Sequence, residues 1–158
     1  MKRSVTHATF VIERSYDASP ATVFGAWSDV KAKSHWFVGP DDWGPNQHTL
    51  DFRIGGREVS RGGPKGGPVH TYEARYYDIV PNERIIIAYD MHLDDRRISV
   101  SLATVELKPE GAGTRLSFTE QGAFLDGYDN PADREHGTGE LLDALGRALR
   151  DHFGGDQE

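Results

Sequence analysis

Few residues in this chain are of a type and spacing that could do chemistry. Glu120 shares a face with Leu116 and Phe118 in a segment, Thr114 to Gly122, that alternates as a strand. A carboxylate among apolar neighbours is withdrawn from water unless it is paired. That suits it to proton transfer, or to anchoring a polar group on a ligand. The competing reading gives Glu120 a solvent-reaching strand end or an arginine partner. Arg97, Glu58 and His70 are candidates for the same interior. His136 could join them, although a solvated histidine fits its position better. Around these, Trp27, Trp36, Phe52, Tyr72, Tyr89, Met91, Phe118 and Phe124 fall at positions that point toward one interior. As plain core they fill space. As a wall, aromatics and a methionine with a few polar groups are what a small-molecule site is made of. Both readings stand for each of the eight.

Other chemistries find little support. The seven histidines form no HxxxH or HExxH pattern and lie on different segments, so no metal site is expected. No cofactor is implied. The glycine-rich GGPKGGP at 62–68 lacks the spacing of a phosphate loop, and its prolines remove amide donors. No serine sits in a GxSxG context. With no cysteine, disulfides, thiolate ligands and cysteine nucleophiles are excluded. The run Asp94-Asp95-Arg96-Arg97 reads as a solvated hairpin tip.

These residues need elements to position them, and the longest is C-terminal. In Asn130 to Phe153, Leu141, Leu142, Leu145, Ala148, Leu149 and Phe153 recur at spacings of three and four, one apolar stripe on a helix. Asn130 suits the N-cap, Pro131 the first turn, and Gly154-Gly155 the stop. Upstream, Thr6 to Tyr16 alternates as a strand with Phe10 and Ile12 on one side. Ser19-Pro20 opens a short helix through Ser28 that buries Val23, Phe24 and Trp27. A second short turn begins at Asp29 and carries Ala32, His35, Trp36 and Phe37. Residues 39–45 are a loop, and Trp43 within it should fold back over something. Strands are expected at Thr49 to Ile54 and Arg57 to Arg61, joined by a two-residue hairpin at Gly55-Gly56. More follow at Val69 to Val80, Arg84 to Leu93 and Arg97 to Leu107, and the Glu120 segment is the last. Tight turns between consecutive strands imply antiparallel neighbours. A long amphipathic helix then needs a curved sheet to lie on.

At 158 residues the chain suits one domain with a real core. The net charge of −7 disfavours nucleic acid or an anionic membrane as the main partner. No run approaches a membrane span, and the N-terminus has no apolar leader, so a cytoplasmic protein is expected.

In combination, FVIERSYDASPATVFGAWSD at 10–29, Trp36-Phe37, RIGGRE at 53–58, YYDIVPNERIIIAY at 76–89, LKPEGAGTRLSFTEQG at 107–122 and LLDAL at 141–145 carry a resemblance. The chain resembles the Bet v 1-like, START-like superfamily (SRPBCC), and within it bacterial proteins similar to the activator of Hsp90 ATPase. The resemblance covers nearly the whole chain. It implies an α+β helix-grip fold: a seven-stranded antiparallel sheet curled around the C-terminal helix, with two short helices after the first strand. Two positions depart from the family's habit. Glu58 stands where an aromatic is common after the GG turn, and Thr138 where the last helix often carries a tryptophan. Both suggest a more polar or roomier interior. Co-chaperone activity belongs to eukaryotic relatives with an additional N-terminal domain, for which this length leaves no room.

Three functions follow as expectations. The preferred one is binding of a small hydrophobic molecule between helix and sheet. The second is an enzyme of the cyclase or dehydratase kind, using Glu120 with tyrosine or histidine partners as acid and base. The third is a chaperone-interacting module that stimulates Hsp90 ATPase. A homodimer through the sheet or an edge strand is compatible with this order of elements.

Overall fold

The structure is a computed structural model and describes residues 2–40, 43–44 and 46–153. The order is β1 (Val5–Tyr16), α1 (Pro20–Ser28), α2 (Val30–Lys33), β2 (Gln47–Leu50), β3 (Arg57–Gly62) and β4 (His70–Val80). Then come β5 (Arg84–Leu93), β6 (Arg96–Glu110), β7 (Gly113–Leu125) and α3 (Pro131–His152). The seven strands form one antiparallel sheet in the order β1-β7-β6-β5-β4-β3-β2. It curves about α3, which makes this the α+β helix-grip architecture the resemblance implied.

Caps and stripe set α3. The Asn130 side chain accepts from the Ala132 and Asp133 amides at 2.7 and 3.4 Å, and Pro131 follows it. Leu142, Leu145, Ala148 and Leu149 are buried, with Leu141 and Phe153 partly so. The Gly154-Gly155 stop lies outside the described residues. On the sheet, alternation sends Phe10, Ile12, Ile85, Ile87, Val105, Leu107, Leu116 and Phe118 into the core.

One expected hairpin is corrected. β2 ends at Leu50, and the glycines do not form a two-residue turn. Instead the 51–56 connection docks on β4. The Gly55 amide donates to the Tyr76 carbonyl at 2.8 Å, and the Tyr76 amide to the Gly56 carbonyl at 3.0 Å. Gly55 takes φ +84°, and a Cβ on Gly56 would lie 2.0 Å from the Asp51 carbonyl oxygen. Gly55 therefore serves a turn that the Gly56 amide closes on the Arg53 carbonyl at 2.7 Å, and Gly56 serves a close approach within the same connection. Trp43 does fold back: it bridges to Pro64 and lies against the His70 ring at 4.6 Å.

Candidate functional site

Cross-strand register arranges the inner face in rows. One row runs Leu50, Glu58, Ala74, Tyr89, Ser101, Gly122. The next runs Tyr76, Ile87, Ala103, Glu120, Phe10. A third runs Ser60, Tyr72, Met91, Ser99, Phe124. Two carboxylates thus sit on the inner face of the sheet, each served by a tyrosine.

The first cluster centres on Glu58, which is fully buried, as is Lys33 from the end of α2. The Lys33 ammonium donates to Glu58 Oε1 at 2.8 Å, and the Tyr76 hydroxyl donates to the same oxygen at 2.6 Å. His48 Nε2 meets Glu58 Oε2 at 2.6 Å. Rings surround the ammonium: Phe37 at 4.3 Å, Trp27 at 5.4 Å, and Trp36 and Tyr72 at 5.9 Å. Burial pushes the Glu58 carboxyl up. The Lys33 charge and the hydrogen bonds from His48, Lys33 and Tyr76 outweigh it and hold the group down at about 2. Burial and the Glu58 charge push the Tyr76 phenol far up, so it stays a donor.

The second cluster centres on Glu120, buried as its face predicted. Tyr89 donates to both its oxygens at 2.7 Å, and Ser101 donates at 2.9 Å. Arg134, from the first turns of α3, donates to Glu120 and to the Tyr89 hydroxyl, both at 3.1 Å. Its other terminal nitrogen reaches Ser99 at 2.7 Å and Asp129 at 2.6 Å. Burial and the Glu120 charge push the Tyr89 phenol well up. The Tyr72 and Tyr89 rings, 4.8 Å apart, separate the two clusters.

The other candidates divide. Trp27, Trp36 and Phe118 are core; the Trp36 indole donates to the Ala26 carbonyl at 3.0 Å. Phe52 lies edge-on to Phe24 and Tyr76 at 5.5 and 5.0 Å. Phe124 is buried with the Arg134 guanidinium 5.2 Å over its ring. Tyr72 and Met91, paired across β4 and β5, are inner-face residues that remain only half-buried. Arg97 is not brought to this interior: it lies near the β5–β6 hairpin end and pairs with Asp90 at 3.0 Å. Asp90 alternates with Tyr89, so that pair sits on the outer face. His70 stacks on Trp43 instead of joining either carboxylate, and burial pushes its imidazole pKa down against Asp94 and Asp129. His136 is exposed, facing Glu140 at 3.5 Å.

Lys33, His48, Tyr76 and Arg134 were not singled out from the sequence. Arg134 had a readable signal: 134, 138, 141 and 145 continue the α3 stripe backward at spacings of four and three. Lys33 precedes Trp36 and Phe37 by three and four residues, again one helical face. His48 had none, since a long-range pairing places it.

Two surface depressions lie away from this floor. One, of about 370 Å³, runs between β1 and α3 beside Glu13, Arg14, Glu140 and Asp143. The other, of about 240 Å³, lies mainly on the outer face beside Arg57, Arg75 and Tyr77.

Comparison with curated proteins gives no match. Among solved structures, a Rhizobium leguminosarum protein is 47% identical, with a TM-score of 0.90 over 95% of this chain and 99% of that one. A Rhizobium loti protein is 49% identical, with a TM-score of 0.86 over 92% and 99%. A Chromobacterium violaceum protein is 26% identical, with a TM-score of 0.73 over 88% and 94%. Residues 17–150 match the family model described as Activator of Hsp90 ATPase homolog 1-like protein. With that match over most of its length, and with strands, short helices and gripped α3 in the same order, the chain belongs to the Activator of Hsp90 ATPase homolog 1-like family.

Proposed function

We propose that this protein binds a small, largely apolar molecule between α3 and the β3–β5 half of the sheet. One observation carries the reading. Two buried ion clusters occupy the inner face, and between them the paired Tyr72 and Met91 stay half-buried. Buried ion pairs are poor stabilisers; hydrophobic replacements of similar volume often equal or exceed them. An interior that keeps two carboxylates on its sheet, paired with a lysine of α2 and an arginine of α3, is therefore better suited to reading a polar group on a guest than to holding the fold. The same geometry counts against acid–base catalysis at Glu120, because Tyr89, Ser101 and Arg134 already occupy its oxygens.

Met91 supplies the test. The chain has two methionines, Met1 and Met91, so ¹³C-methyl methionine labelling gives one reporter inside the site. Titration with a panel of fatty acids, sterols and aromatic polyketides should move the Met91 resonance for at least one class. It should also raise Tm by about 5–10 °C at a hundredfold excess over Kd. A Met91 signal indifferent to every compound would sink the reading. Hsp90 ATPase stimulation, named in the family description, is tested separately by adding the protein to a bacterial Hsp90 ATPase assay, where no change in rate is expected.

A further inference from the structure

We propose that His48 reads the guest: its Nδ1 accepts a hydrogen bond from a hydroxyl on an otherwise apolar, uncharged molecule. This rests on the binding reading above and adds the ligand's chemical class.

The argument starts from an unmet atom. The His48 side chain is 5% exposed, yet Nδ1 has no hydrogen-bond partner among the described residues. An orphaned buried nitrogen is uncommon and costs stability. The other ring nitrogen decides what the orphan can do. Glu58 Oε1 already takes the Lys33 and Tyr76 donors, and Oε2 meets His48 Nε2 at 2.6 Å. A carboxylate has only acceptors, so Nε2 carries the hydrogen. Lys33 balances the Glu58 charge, and an uncharged imidazole leaves the buried cluster neutral overall. In that tautomer Nδ1 presents a bare lone pair.

A bare lone pair selects. It welcomes an O–H and repels a carboxylate. A second orphan extends the requirement: Trp27 Nε1 is buried without a partner among the described residues, and its ring lies 5.4 Å from the Lys33 ammonium in the same cluster. Indole N–H is a donor and needs an oxygen. A hydroxyl is both donor and acceptor, so alcohols and phenols suit this end of the site. Phe37, half-buried at 5.8 Å from the His48 ring and 5.0 Å from Tyr72, offers the apolar wall for the rest of the guest.

Three probes of one shape test it on the full chain: 2-naphthol, naphthalene and 2-naphthoate, each titrated against the Met91 methyl resonance. The expected result is 2-naphthol binding about fivefold to tenfold tighter than naphthalene, the worth of one hydrogen bond, with 2-naphthoate weakest. The ¹⁵N resonance of His48 Nδ1 should show an unprotonated nitrogen that moves with 2-naphthol and not with naphthalene. His48→Phe should erase the advantage of 2-naphthol over naphthalene. Should that variant not fold, the ¹⁵N measurement on the unaltered protein decides. Equal binding of 2-naphthol and naphthalene would mean that water satisfies Nδ1, overturning this inference while the apolar chamber stands. Tightest binding by 2-naphthoate, or a protonated Nδ1, overturns it as well. Failure of all three probes to bind removes the chamber and the inference together.

Discussion

At the scale of single residues, the stake is the pairing of Lys33 with Glu58. Both side chains are wholly buried. Removing one partner strands the other's charge in a medium that solvates it badly. Lys33→Met should therefore cost about 3–5 kcal/mol in urea unfolding, whereas Lys33→Met with Glu58→Leu should recover most of that loss. A single variant within about 0.5 kcal/mol of the parent would mean that water already reaches the pair. The acid limb offers a second reading of the same contact. Glu58 sits at about 2 in the fold against an ordinary 4.5, so the unfolded chain takes up the proton first as pH falls. The stabilisation is complete above roughly pH 4.5 and drains toward pH 2, on the order of 3 kcal/mol in all. Denaturation curves from pH 6 to 2 should show the parent falling more steeply than Glu58→Gln in that window. Parallel curves would contradict the depressed carboxyl.

Between elements, two of the contacts that fasten α3 stand well apart along it. Its first turns are held by Arg134, which reaches β5, β6 and β7 through Tyr89, Ser99 and Glu120. Further along, the Tyr16 hydroxyl donates to the Leu142 carbonyl at 2.7 Å. Gly146 leaves room for that ring, since a Cβ there would sit 3.2 Å from Tyr16 Cε1. Arg134→Met should loosen the first fastening only. Hydrogen exchange is expected to quicken in residues 131–138 while 142–149 stay protected, with a loss of about 3 kcal/mol as Glu120 keeps Tyr89 and Ser101 but loses its cation. Uniform quickening along α3 would mean that the helix is held elsewhere. Much of this element scale was legible in the chain itself. Caps and stripe marked α3 to within a residue at each end, and alternation put Glu120 on the inner face. What could not be read locally was partnership. Glu58 registered as a candidate for the interior and as a departure from an aromatic, but its partners did not, because they come from α2, β2 and β4 and nothing within a few residues of Glu58 signals them. Gly55-Gly56 misled for a related reason: a GG pair marks a hairpin turn and a turn inside a longer connection alike, and only the docking of that connection on β4 tells them apart.

Taken whole, the molecule poses one question: how tightly helix and sheet close on each other over the floor. The row beneath carries Ala74 between Glu58 and Tyr89, a small residue where a tightly filled interior would use a large one. The adjoining Tyr72 and Met91 are only half-buried. Ala74→Leu adds three carbons at the centre of that row. In a close-packed interior the insertion forces neighbours off their rotamers and costs about 1–3 kcal/mol. In a chamber that admits a guest, the leucine takes the guest's place. The expected outcome is the second: stability within about 1 kcal/mol of the parent, and affinity for apolar probes reduced at least about tenfold. Urea unfolding and the Met91 methyl titration, run on one preparation, give both numbers. A variant that loses 2 kcal/mol yet binds as the parent does would show that Ala74 packs against protein and that any guest sits elsewhere.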